Sequence, residues 1–145
     1  MALPPDAAFR PGGPPAPDLS TAGVIGVGVD LVDVARFARV LARRPTISGR
    51  LFTPGERAYA GKLANPASSL AARFAAKEAV MKALGVGIGA FRFVDVDVQR
   101  LPSGEPRLAL SGRAAELASQ RGTRRWLLSL THTEAIAAAV ALALA

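Results

Sequence analysis

The 145-residue chain has no cysteine. Disulfide staples and thiolate zinc sites are therefore excluded, and the absence fits a reducing, cytoplasmic setting. Aromatic residues are scarce, with six Phe, one Trp and one Tyr. That scarcity argues against a base-stacking platform for nucleic acid. The first residues contain no basic stretch followed by an apolar one, so no secretory signal is expected. The longest apolar run, residues 135–145, is too short to span a bilayer, and no membrane association is expected. Acids are the minority charge, 11 against 18 Lys and Arg, for a net charge of +7. A basic surface attracts anionic partners, whether nucleic acid, anionic lipid or an acidic protein, and composition does not choose among them.

What is present is half hydrophobic, and much of that share is alanine. Alanine-rich cores bring backbones close but bury little area per residue, so contacts between copies could supplement the core. The length suits one domain. Residues 1–22 hold six of the eleven prolines and read as a disordered Pro/Gly-rich tail, leaving residues 23–145 as the domain. Val24 to Leu31 reads as a strand, with Ile25, Val27, Val29 and Leu31 on one face and Gly26, Gly28 and Asp30 on the other. A helix follows over about residues 34–44 with Asp33 as its N-cap, and Arg36, Arg39 and Arg43 recur along it at helical spacing. Thr53-Pro54-Gly55-Glu56 forms a capping box that opens a short helix to about Lys62. A longer helix covers about residues 66–84 and stops at Gly85. Strands are expected at about 94–100 and 107–110 around a tight turn, then a helix at 111–120 and a strand at 125–131. Residues 135–144 are ambiguous between helix and buried strand; hairpin pairing with the preceding strand favours strand. The expected class is α+β with a mostly antiparallel sheet.

Several residues could carry chemistry. Asp30 ends an apolar strand on its glycine face, where a ligand or another backbone can approach closely. Glu78 is the single acid of "FAAKEAVMKAL" and lies four residues before Lys82. A pair at that spacing is ordinary helix stabilisation worth about 0.2–0.5 kcal/mol. Yet both sides of this helix look buried, and a carboxylate at its edge needs a specific partner. Two carboxylates from separate elements with cationic neighbours suit Mg²⁺ carrying a phosphate, with Arg73, Lys77 and Lys82 neutralising phosphate oxygens. His132, the only histidine, follows Leu128 and Leu130 on one strand face, where a structural role is the common one. "GVGIGA" lacks the lysine and Ser/Thr of a P-loop, and "GVGVD" lacks the full dinucleotide fingerprint. The arginine stripe of residues 34–44 offers a docking face for an acidic partner.

Together, "GVGVDLVDVARF", "RFAAKEAVMKALG" and "LSLTHTEAIAAAVA" resemble the holo-acyl-carrier-protein synthases, the short class of 4′-phosphopantetheinyl transferases, over residues 23–144. The resemblance implies Mg²⁺-dependent transfer of phosphopantetheine from coenzyme A to a serine of apo acyl carrier protein, with release of adenosine 3′,5′-bisphosphate, in support of fatty acid or polyketide biosynthesis. It makes Asp30 and Glu78 the metal ligands and Lys82 a phosphate contact, all three catalytic. Arg73, Lys82 and His132 become coenzyme A contacts, to which Lys77 is added from its place beside Glu78. Arg36 would meet the acidic carrier, and Arg39 and Arg43 of the same stripe extend that docking face. It also implies a homotrimer with active sites between protomers and no nucleic-acid partner, and it leaves the proton acceptor open between Glu78 and a water. Two positions depart from the family pattern: Glu105 stands where lysine is frequent, and Val86 where threonine is. A basic nucleic-acid-binding domain would account for the charge equally well but gives Asp30 and Glu78 no task.

Overall fold

Gly26 and Gly28 set the central packing of the fold. In the computed structural model, which describes residues 23–145, a Cβ added to Gly26 would sit 2.0 Å from the Ala83 carbonyl oxygen, and one on Gly28 1.8 Å from that of Ala79. No side chain fits there, so strand β1 (Val24–Asp33) lies directly against the backbone of helix α4 (Pro66–Ala83). The helix meets it with small residues, Ala75, Ala76, Ala79 and Ala83, all buried. The expected glycine face is thus used for a close backbone approach, by α4 itself. The tail expected over residues 1–22 lies outside the described residues.

β1 runs two residues further than the sequence suggested and ends on Asp33, whose Oδ1 accepts from the Arg36 amide at 2.7 Å and caps α1 (Val34–Arg43). A short helix, α2 (Ile47–Leu51), follows; the sequence reading assigned nothing there. Helix α3 (Pro54–Gly61) opens on the expected capping box: Thr53 Oγ1 accepts from the Glu56 amide while Glu56 Oε2 accepts from the Thr53 amide. Helix α4 starts at Pro66 behind an Asn65 cap and gives way at Gly85, whose φ of +63° suits glycine.

Strands β2 (Val96–Arg100) and β3 (Pro106–Leu110) form one antiparallel hairpin, preceded by a 3₁₀ turn at Phe93–Asp95. Helix α5 (Gly112–Gln120) leads to β4 (Arg125–His132) and β5 (Ile136–Leu144). The ambiguous C-terminal segment is a strand, and it is the central one: the second sheet has the order β1-β5-β4, antiparallel throughout. Its alanines serve a strand here because Ala137, Ala139, Ala141 and Ala143 face α4, where only small side chains fit. The fold is α+β, as expected, with two antiparallel sheets. Among the described residues no helix is long and apolar enough to cross a membrane.

The other face of the three-stranded sheet is bare. Ile25, Val27, Val29 and Leu31 of β1, Ile136 and Val140 of β5 and Leu127 of β4 are all exposed, Leu31 at 68%. Val29 pairs with Val140 and Val27 with Leu142, so the side chains form one continuous apolar surface. Such a surface rimmed by polar groups marks an association site.

Candidate active site

The close packing of α4 on β1 brings Glu78 and Lys82, one turn apart, against Asp30. Lys82 Nζ donates to Asp30 Oδ1 at 2.8 Å and to the Val29 carbonyl at 2.9 Å. It does not pair with Glu78. Glu78 Oε1 is fully buried and has no hydrogen-bond partner among the described residues. Burial raises the pKa of Glu78 above the usual carboxylate range, the negative charge of Asp30 raises it further, and Lys82 opposes both. A desolvated carboxylate oxygen, unpartnered and repelled by a second carboxylate, fits the donor of a cation site. Two carboxylates are also the donor set that Mg²⁺ takes when substrate phosphates and waters complete its shell. No group of three or more potential metal ligands occurs among the described residues.

Asp30 and Glu78 line one cleft of about 370 Å³ together with Leu31, Phe37, Phe74 and Ile88. These apolar walls were absent from the sequence-derived site. Their signal was Ile88, the one bulky residue in the tip of the glycine loop, 78% exposed. Phe74 stacks on Phe93 at 5.3 Å and tilts against Phe37 at 5.2 Å, which fixes the cleft's inner wall. Arg36 lines the same cleft, and the exposed Arg39 and Arg43 continue its stripe along α1. Arg43 then joins Arg44 and Arg50 around a second basic hollow.

Lys77 stands elsewhere, and the expectation that it contacts coenzyme A is corrected. It is fully buried. Its ammonium donates to Glu56 Oε2 at 2.7 Å, the Leu51 carbonyl at 2.7 Å and the Phe93 carbonyl at 3.1 Å, which uses all three of its N–H donors. Glu56 is equally committed, since its Oε1 accepts from the Val98 amide at 2.9 Å. The pair ties α3, α4 and β2 together.

Arg73 is separated from the Asp30 cleft as well. It lies across α4 in two adjoining clefts that share no lining residue with the first. Its NH1 donates to Ser69 Oγ at 2.6 Å and its guanidinium lies 4.5 Å from the Tyr59 ring centroid, while Nε has no partner. Leu130 of β4 lines one of these clefts. His132, exposed at the end of β4, projects on the same strand face as Leu130. One chain therefore gathers Asp30, Glu78, Lys82 and Arg36 in one place, with Arg73 in a separate cleft and His132 exposed at the end of β4.

Residues 26–141 match the family model of the 4′-phosphopantetheinyl transferase superfamily. The holo-[acyl-carrier-protein] synthase of Moorella thermoacetica is 45% identical over 119 residues, covering 82% of this chain and 93% of its own. That of Salinispora arenicola is 49% identical over 122 residues, covering 83% and 98%. Among solved structures, the Neisseria meningitidis holo-[acyl-carrier-protein] synthase superposes with a TM-score of 0.76 at 31% identity, over 83% of this chain and 98% of that one. The Helicobacter pylori enzyme in complex with coenzyme A superposes with a TM-score of 0.71 at 30% identity, over 81% and 98%.

Proposed function

The chain belongs to the 4′-phosphopantetheinyl transferase superfamily, and we propose that it is a holo-acyl-carrier-protein synthase, moving 4′-phosphopantetheine from coenzyme A to a serine of an apo acyl carrier protein. The relatives' activity and the bound coenzyme A of the Helicobacter pylori enzyme support the substrate. The observation that carries the site assignment is the unpartnered, buried Glu78 Oε1 facing Asp30. Asp30 and Glu78 would hold Mg²⁺, which would supply positive charge to the pyrophosphate and to the leaving phosphate.

The serine oxygen attacks the pantetheine-side phosphorus. A new P–O bond to the serine forms as the bond to adenosine 3′,5′-bisphosphate breaks, and the electron pair leaves with that nucleotide. Lys82 moves from Asp30 to a phosphate oxygen and neutralises charge there as it builds. The serine proton passes to a carboxylate or water of the cleft. Leu31, Phe37, Phe74 and Ile88 exclude water from one side and give the apolar part of the pantetheine arm a surface to lie on. Arg36, Arg39 and Arg43 meet the acidic carrier and steer its approach, so association weakens with salt.

The working form is a homotrimer built on the bare sheet face. Leu31 belongs both to that face and to the Asp30 cleft, so a copy seated on the sheet reaches the cleft and can bring its own Arg73 and His132 to the same coenzyme A. The enzyme acts in the cytoplasm, in fatty acid or polyketide biosynthesis, with no nucleic acid or membrane as partner. Mixing the protein with coenzyme A, Mg²⁺ and an apo carrier, then weighing the carrier, tests the reading. The expected result is the gain of one phosphopantetheine group; no gain with any carrier would contradict it. Tight sequence-independent nucleic-acid binding at physiological salt would favour the rival basic-domain reading.

A further inference from the structure

Arg107 of β3 and Arg124 and Arg125 at the start of β4 surround a hollow of about 310 Å³. All three are exposed, none makes an ion pair among the described residues, and no acid lines the hollow. Acids on neighbouring elements are held elsewhere. Asp97 accepts from the Thr53 hydroxyl and the Gln99 amide, and Glu116 from Arg113. Three like charges collected in one place oppose one another, and an anion between them relieves that repulsion.

Beneath the arginines the hollow is apolar. Leu108 and Trp126, both half-buried, pack against the main core, and Leu144 is buried. Leu127 lines it from the bare sheet face, so the hollow lies at the margin of the surface read above as a contact between copies. It is remote from the Asp30 cleft and shares no lining residue with it. Arg125 pairs with Leu144 and Asp30 with Ala139, five residues apart along β5 and so about 17 Å. A small inorganic anion would satisfy the arginines and leave the floor wet. A neutral chain would cover the floor and leave the charges unmatched.

We propose that the hollow between β3 and β4 is a second ligand site, which takes a single-chain anionic amphiphile: a fatty carboxylate whose head group meets Arg107 and Arg124 and whose first carbons lie on Leu108, Trp126 and Leu144. A carboxylate accepts two parallel hydrogen bonds from one guanidinium. A concavity of this size admits one chain, whereas a bilayer presents a plane. The site stands apart from the transferase reading and does not depend on it.

Trp126 is the only tryptophan of the chain, so its fluorescence reports this hollow. The full chain, as it assembles, is titrated below micelle-forming concentrations with decanoate, hexanoate, decanol and inorganic phosphate. Decanoate should shift the emission along a saturable curve. Hexanoate should bind about tenfold or more weakly, since each buried methylene is worth up to about fourfold. Decanol lacks the charge and phosphate lacks the chain, so each should also bind at least about tenfold more weakly. Combining Arg107→Ala with Arg124→Ala should weaken decanoate about tenfold or more and leave the melting temperature of the free protein unchanged. No saturable response to decanoate, an equal response to phosphate or decanol, or wild-type affinity in the double variant would overturn the site. A response to phosphatidylglycerol vesicles without one to monomeric decanoate would also overturn it, and would make the arginines a membrane-facing patch. The chain-length and head-group comparisons use wild type, and they decide the question even where the double variant fails to fold.

Discussion

Lys82 pairs with Asp30 across 52 positions of sequence, not with Glu78 one turn away on its own helix; the Nζ–Oδ1 distance is 2.8 Å. A lysine on one carboxylate and an unpartnered oxygen on the other divides the cleft between a neutralised carboxylate and one without a cationic partner.

Replacing Lys82 by methionine should therefore separate two quantities. Asp30 loses its competing cation, so the apparent affinity for Mg²⁺ rises. Transfer falls by about a hundredfold, the scale of losing one preorganised charge from a transferring phosphoryl group. Mg²⁺ titrations of the transfer rate measure both; a parallel loss of affinity and rate would contradict the division.

The pH dependence follows from Glu78. Its carboxyl is held above the usual range by burial and by Asp30, and the ionised form is the one that holds a cation. Binding of Mg²⁺ to the metal-free protein should weaken on the acid side at a higher pH than an ordinary glutamate would give. The sign for stability is the reverse. The folded state binds this proton more tightly than the unfolded chain, so without metal the fold loses stability as pH rises through the Glu78 titration. Melting curves in chelator should show that decline in wild type and not in Glu78→Gln.

Lys77→Met should lower stability by about 3–5 kcal/mol by stranding Glu56 without its buried partner. Adding Glu56→Gln should return part of the loss, a coupling that urea unfolding of the two single variants and the double variant detects. A changed KM for coenzyme A with unchanged stability would return Lys77 to the substrate site.

Val29→Lys places a charge in the middle of the bare sheet face, where Val29 is exposed and pairs with Val140. Sedimentation should show trimer becoming monomer, and transfer should fall with it although the Asp30 cleft is untouched. An active monomer would rule out a site shared between protomers.

The parts of this arrangement written in local pattern were legible in the sequence. Asp33 as a cap, Thr53 and Glu56 as a capping box and the glycine face of β1 follow from spacing and turn chemistry, whereas the strand at residues 136–144 was separable from a helix only by its pairing with the preceding strand. Asp30 and Glu78 could be named as candidates, but their approach depends on how closely α4 sits on β1, and only Gly28 against the Ala79 carbonyl makes that distance a fact. Lys77 was misassigned because sequence puts it beside Glu78, while helical rotation turns consecutive residues about 100° apart and sends it to Glu56. Glu56 was read as a cap and nothing more, since its second oxygen bonds elements far away in sequence. The apolar alternation of β1 put Ile25, Val27, Val29 and Leu31 on one face, and these side chains are bare in a single chain; alternation states that a face is apolar, not what covers it.

In the proposed mechanism Glu78 and Asp30 share one divalent cation on which transfer depends. The most direct measurement is the mass of an apo carrier after incubation with coenzyme A, Mg²⁺ and either wild type or Glu78→Gln, a substitution that keeps the shape and removes the charge. The carrier should gain one phosphopantetheine with wild type, none when Mg²⁺ is chelated, and at most a trace with Glu78→Gln at the same time point. Full transfer by Glu78→Gln in the presence of Mg²⁺ would contradict it.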